Sequence, residues 1–446
     1  AGQALPTIDD GCPHQADGDQ ARQWGTAATL LNRWSNQQGA QSQSVASTPR
    51  VECAAVRVLL LSWDFPPKET GGTAAHVDGL SRALAANGHD VVVMTTTHPG
   101  TGRVTDAAGS VRVVRGDADL PWLSKTDPIA RTASANHTFA KLGFSLPDLF
   151  DGWEPDVVHG HDWRMGWSAD ALSARFDVPF ILTMHGTERV RHGGQLPPGV
   201  PSDINSIEWW LAFQADRLIS PTRFMADQLI SSFELPPEIV ARVPNGIDPN
   251  LWLVEGDTPV EREQMVLSWG RVQFEKGFQV LARSMTSVRA RVPGVQCTIA
   301  GRGSYLPELQ AQIDVEGVSD CVHVTGFLDD TELRHLTQRA GCVVIPSLYE
   351  PFGLVALEAL AAGAPLVVAR TGGLAEMIEG TDAGLTFEPG RPDDLANCIE
   401  RVLTDQFLAN EMARNARQLI EQNYSWDAIA TATARVYSTS IHARQR

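Results

Sequence analysis

The chain has 446 residues, 43% of them hydrophobic and 20% charged, so it is globular and too long for one ordinary core; two to three domains are expected. Its formal net charge of −17 argues against nucleic acid or an anionic membrane as the main partner. No apolar run reaches the length of a bilayer span. Residues 1–55 are rich in Gln, Ala, Ser, Gly and Asp and read as a disordered or loosely attached extension, unlike a signal peptide. Within it Trp24, Leu30, Leu31 and Trp34 would make at most a short amphipathic turn. Six cysteines without a C-x-x-C pair fit buried, reduced thiols and a cytoplasmic protein.

The folded part starts at Val56. VRVLLLSW is a buried-type strand, followed by a loop with the pair Gly71 and Gly72, a helix ending near Gly88, and the strand VVVMTT. Glycines at such a turn let the backbone approach a ligand, but the pattern is not G-x-G-x-x-G, which disfavours NAD. A strand over 111–116 precedes a D-x-D, Asp117 to Asp119, read as an ordinary loop. Residues 121–150 look irregular and partly helical. The strand in PDVVHGHDW ends in His159, His161 and Asp162, and FILTMHG brings His185 to a second strand end. A lone histidine there would be structural; two strands delivering histidines to one sheet edge point to a site. Residues 187–204 read as a long Gly/Pro-rich acceptor loop carrying Arg189, Arg191 and His192, with a helix starting near EWWLAFQAD. Asn245 lies in the turn N-G-I-D, and a hinge is expected near 249–262.

The second half repeats this grammar. MVLSWG is a strand, and the loop after it carries Arg271 and Lys276. Strands at 295–301, 321–327 and 342–346 alternate with helices near 278–290, 306–316 and 331–340. Then SLYEPFGLVALEALAAG (347–363) places Glu350 in a tight loop and Glu358 inside the helix that follows. The N–H groups near Phe352, Gly353, Leu354 and Val355 would be the unpaired donors of that helix, a ready anion site. A strand PLVVA, a turn TGGLAEMI, a strand GLTFE and further helices complete the chain. Strands alternating with helices in both halves indicate an α/β protein of two doubly wound parallel sheets facing across a cleft. The expected boundaries are 56–250, 251–425 and a last helix in 426–446 returning to the first domain.

By itself E-x7-E is a loose pattern that two ordinary surface glutamates would satisfy. The whole stretch, together with F-P-P-x-x-x-G-G, D-V-V-H-x-H-D-W, V-P-N-G-I-D and G-R-x-x-x-x-K-G in order, resembles the retaining nucleotide-sugar glycosyltransferases of GT-B fold, of the glycogen-synthase-like GT4-type family. The resemblance covers residues 56 to about 440. It is most like the actinobacterial α-glucosyltransferases that make glycogen or methylglucose polysaccharide. It implies that Arg271 and Lys276 bind the donor diphosphate, that Glu358 holds the ribose, and that Glu350 lies beside the donor sugar. It further implies that the Phe352, Gly353 and Leu354 backbone touches sugar and phosphate, that His161 sits near the reacting centre, and that Gly71 and Gly72 close over the donor. His185, Arg189 and Asn245 fall in the acceptor region. One departure is that a lysine often found two residues before the glycine pair is replaced by Glu69, with Lys68 one residue further back.

The activity so implied is α-retaining transfer of glucose from UDP- or ADP-glucose to a hydroxyl of an α-1,4-glucan or related polysaccharide. No cofactor is implied beyond the nucleotide-sugar co-substrate, and no metal is required. The alternatives are a lipid, inositol or sugar-phosphate acceptor and, more remotely, a sugar-nucleotide epimerase or a non-catalytic carbohydrate-binding protein. Oligomeric state is open.

Overall fold

Two parallel sheets organise the chain. The computed structural model describes residues 54–67, 72–107, 111–252 and 262–445. The Trp24–Trp34 segment and nearly all of the expected extension, Lys68, Glu69, Gly71 and most of the expected hinge lie outside these residues. The first sheet contains β1 (Arg57–Leu61), β2 (Asp90–Thr96), β3 (Val104–Ala107), β4 (Val111–Gly116), β5 (Val157–His161), β6 (Phe180–Thr183), β7 (Arg217–Ser220) and β8 (Val240–Arg242). Their spatial order is β3-β4-β2-β1-β5-β6-β7-β8. All pairs are parallel except β3 with β4. RVLLL and DVVVMTT are near-continuous apolar runs because helices cover both faces of a parallel sheet.

Helices α1 (Gly72–Ala86), α2 (Pro128–Phe144), α3 (Gly166–Phe176), α4 (Val200–Gln214) and α5 (Arg223–Phe233) surround this sheet. One expectation is sharpened and one corrected here. The stretch 121–150 is partly helical, as read, with irregular backbone confined mainly to its start. Asp127 accepts hydrogen bonds from the Ile129 and Ala130 N–H groups, Pro128 starts the first turn, and a 17-residue helix follows. The supposed loop 187–204 is shorter, since it holds a helical turn over Glu188–Arg191 and ends where α4 begins at Val200, with Pro201 in the first turn.

The second sheet contains β9 (Glu263–Trp269), β10 (Gln296–Ala300), β11 (Val322–Gly326), β12 (Ala340–Ile345), β13 (Leu366–Ala369) and β14 (Leu385–Phe387), in the order β11-β10-β9-β12-β13-β14 and all parallel. Around it lie α6 (Phe278–Arg291), α7 (Leu306–Val315), α8 (Asp330–Arg339), α9 (Leu354–Ala361), α10 (Gly372–Ile378), α11 (Pro392–Thr404) and α12 (Gln406–Leu419). TGGLAEMI, expected as a turn, is α10. Its two glycines open the helix rather than break it. Gly373 is tucked where an added Cβ would stand 2.6 Å from the Phe352 Cα. No helix of the described residues is long and apolar enough to cross a membrane.

The last helix, α13 (Trp426–Arg444), joins the core of the first domain. Ile429, Ala430, Ala434 and Tyr437 pack with Val58, Leu60, Val77 and Leu80. Trp426 fills space left by Gly79 and Gly246, where a Cβ would come within 2.2 and 2.5 Å of the indole. The two domains touch through specific groups. Glu376 of α10 accepts the Arg223 N–H at the start of α5 (2.7 Å) and pairs with Arg242 (2.6 Å). Tyr349 donates to Gln228 (3.1 Å), and the Ile247 N–H donates to the Tyr424 carbonyl (2.9 Å).

Tyr437 is fully buried, and its hydroxyl lies 2.7 Å from His159 Nδ1 at the heart of the first sheet. Tyr437→Phe leaves that nitrogen buried without a partner and should cost about 1–3 kcal/mol. Urea unfolding of the two proteins measures this. An unchanged midpoint would mean that the contact contributes nothing to holding α13.

Candidate active site

In an open parallel sheet, a crevice forms where neighbouring strands send their connections in opposite directions. The first sheet reverses between β1 and β5, and the second between β9 and β12. The carboxyl ends of these four strands carry the loop to Gly72, His161, the loop with Arg271 and Lys276, and the Glu350 loop. The crevices meet. Gly72 opens α1 and Leu354 opens α9, and a Cβ on Gly72 would lie 2.2 Å from Leu354 Cδ1. Two helix N-termini therefore converge from opposite domains, each with first-turn N–H groups lacking an intrahelical acceptor.

On the second-domain side Lys276 Nζ lies 2.7 Å from Glu350 Oε2, and Ser347 Oγ donates to the same oxygen at 3.2 Å. Glu350 is only 9% exposed, so its carboxylate is held by a cation and a hydroxyl rather than by water. Backbone packing positions this pair. Gly277 has φ +71°, and a Cβ there would sit 1.8 Å from the Pro346 carbonyl oxygen, so the Lys276 turn can lie directly against the Glu350 loop. The Glu350 carbonyl accepts from the Gly373 N–H (3.0 Å), and Thr222 from the first domain donates to the Pro351 carbonyl (3.0 Å). The Phe352 side chain is buried in the second-domain core, leaving only its backbone for the cleft. Gly353 takes φ +95° at the cap of α9. Arg271 is exposed, with no ion pair among the described residues.

Glu358 sits one turn deeper. Its carboxylate accepts from Trp269 Nε1 (2.9 Å), the last residue of β9. Burial pushes its carboxyl up to about 7, and the Trp269 hydrogen bond opposes part of that rise. Trp269 is a partner that the sequence reading missed, because only the fold sets the end of β9 beside α9.

On the first-domain side four histidines cluster. His159 and His161 are both 1% exposed. His159 is engaged at both nitrogens, with Tyr437 and with Thr183 Oγ1 (2.7 Å each). His161 Nδ1 lies 3.1 Å from His185 Nε2, and the two rings stack. His161 Nε2 is buried without a partner. His76 on α1, unremarked in the sequence reading, stands edge-on to His185 with ring centroids 4.7 Å apart. Burial lowers the pKa of all four, that of His76 and His161 well below the ordinary value and that of His159 to about 3, so the rings are neutral at pH 7. The Asp162 carboxylate accepts the His185 N–H (2.8 Å) and works against the shift of that ring. The Asn245 side chain lies against His76 and His185, its Oδ1 buried and unpartnered.

Arg189 is set apart. It donates to the Gly194 carbonyl (3.3 Å), and no hydrogen bond or ion pair joins it to the histidines among the described residues. Its short helix is anchored by Glu208, fully buried in α4, whose two oxygens accept the Glu188 N–H at 3.1 and 2.9 Å. Burial raises the Glu208 carboxyl to about 8. The signal for Glu208 was present in the sequence, as a lone acid beside the aromatic pair Trp209 and Trp210. Of the expected site residues, the structure brings Gly72 and Leu354 together, Lys276 with Glu350, and His161 with His185 and Asn245. Gly71 lies outside the described residues.

A cleft between two doubly wound domains, with a helix N-terminus from each, cations on one wall and neutral histidines on the other, defines the class: a GT-B nucleotide-sugar glycosyltransferase. Comparison with known proteins makes the assignment narrower. Residues 70–251 match the family described as Glycosyltransferase Family 4, and residues 255–419 the family described as Glycosyl transferases group 1. A glycogen synthase of Mycobacterium tuberculosis is 37% identical over 393 residues, covering 86% of this chain and 94% of the relative. A D-inositol 3-phosphate glycosyltransferase of Corynebacterium jeikeium is 29% identical over 409 residues, covering 86% and 96%. Among solved structures, the fold is similar to a sucrose-phosphate synthase from Thermosynechococcus elongatus (TM-score 0.68, 22% identity, covering 86% of this chain and 98% of that one). It is also similar to the catalytic domain of Arabidopsis thaliana starch synthase IV bound to ADP and acarbose (TM-score 0.66, 17% identity, covering 87% and 100%). The chain belongs to the glycogen-synthase-like, GT4-type glycosyltransferase family.

Gly373→Ala tests whether backbone packing positions Glu350. The new Cβ would meet the Phe352 Cα and the Pro351 carbonyl, both within 2.6 Å, and those atoms move only with the Glu350 loop. The expected cost is about 1–3 kcal/mol of stability. Misplacement of reacting groups should also lower kcat/KM by up to about 10²-fold. A variant with unchanged kcat/KM would show that the loop position does not matter.

Proposed function

We propose that the protein transfers glucose, with retention, from UDP- or ADP-glucose to the end of an α-1,4-glucan or related polysaccharide. The observation that carries this reading is the Lys276–Glu350 pair at the second sheet's switch point, opposite His161 and beside the α9 N-terminus. Support for the glucan acceptor comes from the mycobacterial glycogen synthase at 37% identity. The D-inositol 3-phosphate glycosyltransferases among the relatives favour a second reading, a small phosphorylated acceptor in the same cleft.

Arg271, Lys276 and the first turn of α9 offset the negative charge that builds on the departing diphosphate, and Arg271 has no ion pair to give up. Glu358 accepts hydrogen bonds from the ribose hydroxyls. Glu350, held by Lys276 and Ser347, stabilises the positive charge developing on the donor sugar rather than bonding to it. His161, neutral and with Nε2 unpartnered, offers a hydrogen bond to a sugar hydroxyl. The Phe352, Gly353 and Leu354 backbone and Gly72 close round the donor, and His185, Arg189 and Asn245 lie toward the acceptor. The acceptor hydroxyl attacks the face from which the diphosphate leaves, and a phosphate oxygen takes its proton. No step needs a metal. The buried thiols of Cys297 and Cys342 fit a cytoplasmic setting.

The purified protein is to be incubated with UDP-glucose, ADP-glucose or GDP-mannose, with and without glycogen and with EDTA. The expected result is glucan elongation with one glucose donor, insensitive to EDTA and reduced about 10²–10³-fold in Glu350→Gln. Donor turnover without glucan growth would support the phosphorylated acceptor, and activity restored only by Mn²⁺ would overturn the metal-free mechanism.

The Glu358 role predicts a pH signature. Its carboxyl titrates at about 7 in the free enzyme, and the ionised form accepts the ribose hydroxyls. Donor kcat/KM should therefore fall about tenfold per pH unit below pH 7 and level off above it. The step should vanish in Glu358→Gln; a step that persists in that variant assigns the titration to another group.

A further inference from the structure

The histidine cluster has a property that sugar transfer does not use. His76, His161 and His185 each offer a ring nitrogen, and the three nitrogens all lie within 4.8 Å of one another. A tetrahedral zinc ion with Zn–N bonds of about 2.0–2.1 Å places its ligands roughly 3.3 Å apart. His161 Nδ1 and His185 Nε2 already stand at 3.1 Å. His76 completes the set once its ring moves toward them from a separation bounded at 4.8 Å.

Two further observations point to a ligand rather than to a satisfied core. His76 Nδ1 is buried with no hydrogen-bond partner, on a side chain 6% exposed, whereas the His161 Nδ1–His185 Nε2 contact is one that the ion would replace. His159, by contrast, has both nitrogens bonded and stays outside the set. The site also has an entrance. His185 is half-buried, and the space beside Gly186 is open, since an added Cβ there would meet nothing within 4 Å. The unpartnered Asn245 Oδ1 can accept a hydrogen bond from a water in the fourth position. The Asp162 carboxylate, which accepts the backbone N–H of His185, supplies nearby negative charge.

We propose that His76, His161 and His185 bind one zinc ion, and that the bound ion shuts off donor use by pinning the His161 ring through Nδ1 and setting a dication beside the positive charge that develops on the donor sugar. The ligand set selects the metal. Three imidazoles with neither carboxylate nor thiolate suit zinc and its neighbours, not magnesium or calcium. The ion is an inhibitor here, and the metal-stripped protein is the active form. Metal binding stands on the geometry alone; the inhibition rests on the glycosyltransferase reading.

The test uses the full chain, stripped with EDTA and dialysed. Titration with Co²⁺, read by its visible absorption, should show one four-coordinate ion per chain, displaced by Zn²⁺. His76→Gln and His185→Gln should each weaken binding by more than about tenfold. Their thermal melts without metal must match the parent, and where one does not, the parent's own melt decides, since Zn²⁺ should raise it. A saturating donor nucleotide sugar should expel the Co²⁺, and Zn²⁺ should abolish turnover in the parent while sparing His76→Gln. No stoichiometric binding, binding that survives both substitutions, or a thiolate charge-transfer band would overturn the site. Binding with undiminished turnover would overturn the shut-off and leave the site standing. If the chain turns over no nucleotide sugar, the Co²⁺ titration still decides the metal question.

Discussion

The architecture depends on one constraint, the reversal of strand order in each sheet. Between β1 and β5, and between β9 and β12, connections leave on opposite faces and open a crevice at the carboxyl ends. The loop to Gly72, His161, the Arg271–Lys276 loop and the Glu350 loop hang from those four strand ends. The crevices work as one site only because the domains are held face to face. Glu376 capping α5, Thr222 on the Pro351 carbonyl and the close approach of Gly72 to Leu354 all lie next to the Glu350 loop. The groups that join the domains are thus the groups that place the carboxylate.

The first domain is completed by the end of the chain. Residues 426–444 follow the second domain in sequence yet pack beside α1, and Tyr437 reaches His159 in β5. That hydrogen bond links the most buried residue of α13 to the strand that carries His161. A neutral histidine cluster at this depth avoids the cost of burying charge. It also leaves imidazole nitrogens available as hydrogen-bond donors and acceptors, or as metal ligands.

Charge is distributed against the average. The chain carries −17 overall, yet the second-domain wall presents Arg271 and Lys276 next to a helix N-terminus. A net acidic chain can still hold a local cationic pocket of low dielectric that attracts a diphosphate. Glu350 balances Lys276 inside that pocket, so the ion pair is partly removed from water before any donor arrives.

Much was legible in the order of residues. The apolar runs marked nearly every strand, because strands covered on both faces cannot tolerate polar interruptions. The five motifs marked the loops after β1, β5, β8, β9 and β12. Helix α2 was read only as a partly helical stretch over 121–150, although Asp127 followed by Pro128 is a strong start signal. Other features belonged to the tertiary structure. The sequence does not show that His76 from α1 meets His185 from the end of β6, that Trp269 caps Glu358, or that Glu208 anchors the turn over 188–191. Each joins residues distant in the chain or on different elements, and their spacing is set by how helices pack on a sheet. Local composition and motif determined the class of protein and the chemistry its loops can perform. Tertiary packing alone decided which nitrogens and carboxylates share a pocket, and so their protonation, because burial and neighbouring charge are properties of the folded interior.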